Sequence, residues 1–349
     1  MHKNGIAVAG NMVVDILYKV QGLPKPGELT NILEGFSRSS GGALCNVITD
    51  LAKLDHNLPL TALGRLGTDG EGDFILSLLS NYKNIDISNI KREGLTSFTS
   101  VMADEISKQR SFFYYRGANA LFSEDDINWK NINADFLHIG YILLLDALDR
   151  EDDKFGTKMA RLLCHARENG IKTSVDVVSE NSDRFAHIVP PALKYADYCI
   201  INEFEAEKIT GLCLRDGKNA LVFSSLRGAL EILKAYGVSS WTVIHSPEGG
   251  FGLDSTGNYE EMPSLDLPGS YIKGTVGAGD AFCAGVIYGA YSGLNLKQSL
   301  EMGTAAAACS LSEPGATEGM RSAEGAMELY RELRRKPGAS SGASSLGTS

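Results

Sequence analysis

The sequence predicts an α/β fold: three layers, helix, sheet and helix, around a mostly parallel central sheet, with a small β-sheet lid. Three observations lead there. From Asp135 to Ser246 short apolar strands alternate with amphipathic helices, and that rhythm places parallel strands between two helical layers. Two stretches near 13–40 and 96–117 break the rhythm with turn-rich or β-rich patterns, enough for a small separate sheet. The chain has 349 residues, 43% of them hydrophobic, so one large domain with a sizeable core is within reach.

Each element has its own warrant. "GIAVAGNMVVDILYKV" reads as a short apolar strand, a break at Gly10-Asn11 and a second extended run. Pro24, Pro26 and Gly27 make Leu23–Ser40 a hairpin excursion rather than a core helix. "ALCNVITDLAKLD" has apolar residues at helical spacing, "LTALGRLG" reads as a buried strand and "EGDFILSLLSN" as a helix. "SFTSVMAD" and "RSFFYYRG", separated by polar "EISKQ", form a hairpin. Then follow "FLHIG", "GTKMARLLCHARENG", "KTSVDVV", "ADYCIIN", "EFEAEKITG", "SSLRGALEILKAYG" and "WTVIHS" in alternation. "AGDAFCAGVIYGAYSG", "LKQSLEMGTAAAACSLS" and "SAEGAMELYRELRR" are helical. The fold is expected to occupy residues 1–335, and the Gly/Ser-rich segment 336–349 to be disordered.

Composition excludes some functions. The formal charge is −10 and no basic run carries interleaved aromatics, so neither nucleic acid nor an anionic membrane is an expected partner. The six cysteines form no CxxC pair and the histidines are scattered, which leaves a zinc site without support; the thiols read as buried and reduced. With neither a leader-like start nor an apolar run of spanning length, the expected location is cytoplasmic.

The stretch "KGTVGAGDAF" carries the chemistry. The first N–H groups of a helix lack internal acceptors and carry partial positive charge, and residues without bulk let an anion approach them. Gly277, Ala278 and Gly279 would form that hole, and Asp280 would stand where it can meet a hydroxyl attacking the anion. The plain alternative is a glycine-rich helix entry with an acid favoured by the dipole.

This stretch closely resembles the second signature of the ribokinase-like, phosphofructokinase-B type carbohydrate kinases, DTxGAGD followed by a small-and-apolar helix. It matches at Thr275, Gly277, Ala278, Gly279 and Asp280. "GGALCNVITDLAKL" resembles the first signature, "GRLGTDGEGDFI" the VGxDxxG segment and "INEFEAEKITG" the NxxE element, all in family order across residues 5–335. The resemblance implies an ATP-dependent kinase acting on a hydroxyl of a small sugar or ribosyl compound, with Asp280 as base and the Gly277–Gly279 amides around the transferring phosphoryl group.

It also assigns the remaining site residues. Asn202 and Glu205 would orient magnesium-bound waters around ATP, although the pair is also a variant capping box. Asp15, Gly41, Gly42 and Asn46 form the sugar side; Val13 and Ala43 replace polar residues common there. Arg116 and Asn119 in "YYRGANALF" resemble a substrate-binding element of 2-keto-3-deoxy-sugar-acid kinases, where an arginine can pair with a carboxylate. Thr275, His245 and Gly250 fall on the ATP side, with Pro247 departing from the usual T-x-G-x-x-G. Gly274 replaces the motif's usual leading acid, which argues against potassium activation. A nucleoside kinase, a sugar-acid kinase and a non-catalytic sensor on the same scaffold are the competing readings. The lid edges allow a homodimer.

Overall fold

A computed structural model describes residues 4–337. The strands are β1 Ile6–Ala9, β2 Val13–Val20, β3 Ile32–Gly41, β4 Leu60–Leu66, β5 Ile85–Asp86, β6 Ile90–Arg92, β7 Ser97–Asp104, β8 Arg110–Tyr115, β9 Phe136–Ile142, the short pair β10 Glu151–Asp152 and β11 Gly156–Thr157, β12 Lys172–Val177, β13 Tyr198–Asn202, β14 Trp241–Ser246, β15 Gly249–Asp254 and β16 Tyr259–Pro263. The helices are α1 Ala43–Leu54, α2 Gly70–Leu79, α3 Lys158–Glu168, α4 Phe185–Leu193, α5 Glu203–Thr210, α6 Phe223–Ala235, α7 Ala278–Ser292, α8 Leu296–Ser310 and α9 Ala323–Glu332.

The large sheet runs β16-β15-β14-β13-β12-β9-β1-β4-β5, with β6 also on β4. It is parallel from β5 to β14 and antiparallel through β15 and β16. Strand period explains the two cores. On β1, Ile6 and Val8 enter the core shared with α1, α2, α7, α8 and α9, while Ala7 and Ala9 enter the one shared with α3 to α6. Helices therefore cover both faces, as the sequence predicts.

The lid is a four-stranded sheet in the order β3-β2-β7-β8. Its two hairpins join through a parallel β2–β7 pair, so the two excursions do build one small sheet.

Local chemistry accounts for the departures. Helix α4 holds Pro190 and Pro191, which mask it in the sequence. The carbonyls they leave without intrahelical donors belong to Ala186 and His187, both exposed, so water can serve them. Of the thiols, Cys45, Cys199, Cys283 and Cys309 are buried, whereas Cys164 is half-buried and Cys213 is exposed beyond α5; this corrects the reading of all six as core residues. The Lys336 N–H donates to the Ser264 carbonyl at 2.8 Å, so the segment expected to be disordered begins with a tethered residue. Residues 338–349 of that segment lie outside the described residues.

Candidate active site

Four neighbouring strands bring their carboxyl ends to one place. Tyr141 of β9, Asp176 of β12, Asn202 of β13 and His245 of β14 line a cavity of about 220 Å³, together with Ser179, Glu205, Gly277, Gly279 and Asp280. The carboxyl edge of a parallel sheet is where α/β folds bind ligands.

Helix α7 closes the cavity. Its N-cap, Gly277, has φ 77°, and a Cβ there would stand 2.6 Å from the Ala316 carbonyl oxygen. Both facts demand glycine. The Ala278 N–H donates to the Thr275 carbonyl at 3.4 Å, while the N–H groups of Gly277, Gly279 and Asp280 meet no acceptor among the described residues. Those free donors, with the positive end of a helix of 15 residues, form an anion-binding surface.

Asp280 lies in the first turn of α7 and is buried. Its Oδ2 accepts from the Asn46 amide at 2.8 Å and from the Tyr141 hydroxyl at 3.0 Å. Burial pushes its pKa up to about 6, against the two hydrogen bonds, which pull it down. A carboxylate poised near neutrality and beside an anion surface can accept a proton from an alcohol.

Asn202 and Glu205 form a reciprocal capping box: the Asn202 side chain accepts from the Glu205 N–H, and Glu205 accepts from the Asn202 N–H at 2.9 Å. Glu205 also accepts from Ser179 Oγ at 2.7 Å. Burial raises its pKa to about 7. Burial and the nearby Glu205 and Asp280 charges also hold Asp176 well above the carboxylate range. Three buried acids thus line one cavity whose lining includes no lysine or arginine. An all-oxygen donor set short of positive charge fits a hard divalent cation that keeps several waters. Among the described residues no group of three or more His, Cys, Asp or Glu side chains stands close enough to hold a metal ion, so an ion here would rest on one or two side chains and on water.

The predicted sugar side sits where the lid meets α1. Asp15 on β2 pairs with Ser39 and Thr99 on its neighbours, and burial raises its pKa. A Cβ on Gly41 would lie 2.5 Å from Asp15 Oδ2, so the glycine makes room for that carboxylate. Gly42 caps α1 with φ 89° against the Asn11 carbonyl, and one turn later Asn46 reaches Asp280.

Other predicted residues have other occupations. The buried Asn119 amide accepts from the Met12 N–H at 3.1 Å and donates to the Met12 carbonyl at 3.0 Å, pinning the start of the lid. Arg116 pairs with Asp146 at 2.8 Å and donates to the Leu143 carbonyl. The His245 ring lies against Phe282, tilted by 36° with ring centroids 5.0 Å apart, and burial lowers its pKa to about 4, leaving it neutral. Gly250, opposite His245 in the β14–β15 hairpin, is buried where a Cβ would strike Phe282 at 2.5 Å; it lies outside the cavity lining. Thr275 is exposed on the approach to Gly277. A Cβ on Gly274 would meet the Pro314 carbonyl oxygen at 2.7 Å, so no acid fits there without movement.

Comparison with known proteins decides the family. The model of the pfkB family of carbohydrate kinases matches residues 3–323. The chain belongs to that family. The kinase is 25% identical over 318 residues to a 5-dehydro-2-deoxygluconokinase of Clostridium perfringens, covering 87% of each chain. It is 24% identical over 297 residues to the enzyme of the same name from Geobacillus thermodenitrificans, covering 82% of each. Among solved structures it resembles Arabidopsis thaliana ribokinase complexed with ribose and ATP, with TM-score 0.77, 21% identity and coverage of 95% of this chain and 99% of that one. The protein is an ATP-dependent carbohydrate kinase on a ribokinase-like fold. Enzyme and sensor, both open from the sequence, separate in favour of the enzyme.

Three cavity residues with polar side chains escape the sequence reading, Tyr141, Asp176 and Ser179, along with the apolar Val177 and Val178. Two had a signal. Asp176 is an acid inside the apolar strand "KTSVDVV", and Tyr141 follows Gly140 near the carboxyl end of "FLHIGYI".

Proposed function

We propose that this kinase phosphorylates a small neutral polyhydroxyl acceptor at Asp280, with Mg2+ as the metal. The observation that carries the reading is the buried Asp280 beside the unpaired N–H groups at the start of α7, tied by Asn46 to the helix that leaves the lid. The Gly277 and Gly279 N–H groups, with Thr275 at their approach, neutralise charge on the transferring phosphoryl oxygens. Asp280 orients the acceptor hydroxyl and takes its proton as the oxygen–phosphorus bond forms. Asp15, Gly41, Gly42 and Asn46 hold the acceptor, and His245 lines the nucleotide side as a neutral group. Glu205 and Asn202 would hold Mg2+ through its waters, and the ion would supply positive charge opposite the phosphates. Asn119 positions the lid rather than touching the acceptor, and Gly250 gives Phe282 its place.

A second acceptor class is a 2-keto-3-deoxy sugar acid. The names of the curated relatives favour a sugar acid in general, theirs being a 5-keto-2-deoxy rather than a 2-keto-3-deoxy acid. Against it, the Arg116 guanidinium already serves Asp146 and the Leu143 carbonyl. The lid further supports a homodimer, since β3 is exposed at its first eight positions and Leu29, Ile32, Phe36, Phe112 and Phe113 are solvent-facing.

The test is Mg2+-dependent ADP release over ribose, hexoses, nucleosides and 5-dehydro-2-deoxygluconate. Asp280→Asn is expected to cut turnover about a hundred- to ten-thousandfold with substrate binding retained. Near-normal turnover by that variant removes Asp280 as base. Preference for the sugar acid, abolished by Arg116→Met, replaces the neutral-acceptor reading.

A further inference from the structure

Two non-glycine residues at the end of β9 hold left-handed backbone, Tyr141 with φ 61° and Leu143 with φ 85°. Neither tyrosine nor leucine adopts that conformation unless its surroundings enforce it. Here four segments do so. The Leu143 N–H donates to Asp149 Oδ1 at 3.2 Å, and the Leu143 carbonyl accepts from Arg116 at 3.3 Å and from Arg184 at 2.6 Å. The Leu144 N–H donates to the Tyr141 carbonyl at 3.1 Å, and the Leu144 carbonyl accepts from the Asn11 amide at 3.3 Å. The product of this pinning is one contact: the Tyr141 hydroxyl on Asp280 Oδ2 at 3.0 Å, inside the cavity.

The two donors to Asp280, Asn46 and Tyr141, converge on the same oxygen. Among the described residues Oδ1 receives none. We propose that Tyr141 is a positioning residue for phosphoryl transfer: its phenol, with the Asn46 amide, fixes Asp280 Oδ2 and leaves Oδ1 as the proton acceptor. The alcohol proton passes to Oδ1, the alcohol oxygen bonds to the γ-phosphorus, and the bond to the bridging oxygen breaks, its electron pair leaving with ADP. Arg116 gives the arrangement a link to the lid, because the residue after β8 braces the turn that aims the phenol.

This inference rests on the reading of Asp280 as base, and the experiment separates the two. A crystal structure of the full chain is expected to show the phenol on Asp280; a hydroxyl more than about 3.5 Å away overturns the proposal whatever the acceptor. In kinetics with ribose and 5-dehydro-2-deoxygluconate as acceptors, Tyr141→Phe is expected to lower kcat about ten- to a hundredfold, with KM for ATP and the melting temperature unchanged. In the Asp280→Asn background the same change is expected to cost nothing further, because the group it positions is gone. An Asp280→Asn variant with normal turnover removes the base reading. An inactive Asp280→Asn with a Tyr141→Phe effect that is absent, or equal in both backgrounds, leaves the base standing and removes Tyr141.

Discussion

At the scale of single residues, the site depends on atoms that are missing. Gly277 combines a left-handed backbone with a neighbour, Ala316, whose carbonyl leaves no room for a Cβ. Gly277→Ala is therefore expected to destabilise the protein by about 1–3 kcal/mol and to lower turnover more than it lowers affinity for the acceptor. Chemical denaturation and steady-state kinetics check the two halves, and an alanine variant with native stability contradicts the strain argument. The motif around Gly277 was legible in the sequence because its requirement is local: small residues, then an acid, then a helix. Tyr141 was not, because its role arises from a strained turn braced by residues 11, 116, 149 and 184, which no window of sequence contains. Gly250 illustrates the reverse case. It matches a phosphate-loop position in the sequence, but the ring of Phe282 occupies the space beside it.

Elements were read well where one period governed them. The parallel strands and most helices followed from apolar spacing, while α4 stayed hidden behind two prolines and the β15–β16 return behind a run of glycines. The lid is the element whose surface asks for company. Its order makes β3 and β8 edges, and exposed Ile32, Phe36, Phe112 and Phe113 stand on them. Sedimentation at micromolar concentration is expected to report a dimer, and Phe36→Glu with Phe113→Glu to shift it to monomer. A wild-type monomer at every concentration tested would rule out the lid as a dimer interface.

For the whole molecule, buried ionisable groups set the response to pH. Burial raises Asp149 to about 7 and Asp280 to about 6, so each binds its proton more tightly folded than unfolded. Their stabilising contribution is complete below the unfolded carboxylate pKa and is lost as pH rises through about 6 to 7. His138, held to about 3 by burial, has the opposite sign: its contribution is present above about 6.5 and vanishes toward pH 3. Without ligands the melting temperature is expected to be higher near pH 5 than at pH 8 and to collapse toward pH 3. Asp149→Asn should flatten the slope between pH 5 and 8. A melting temperature that climbs steadily from pH 5 to 8 contradicts this balance.

One contact joins these scales. The His245 imidazole rests on the ring of Phe282, two residues past the acid on α7, and that ring in turn fills the notch left by Gly250. The wall of the cavity and the foot of the helix are thus a single wedge. Trimming the imidazole would let the wedge slip, and the acid would lose its aim without any group that meets the sugar having been altered.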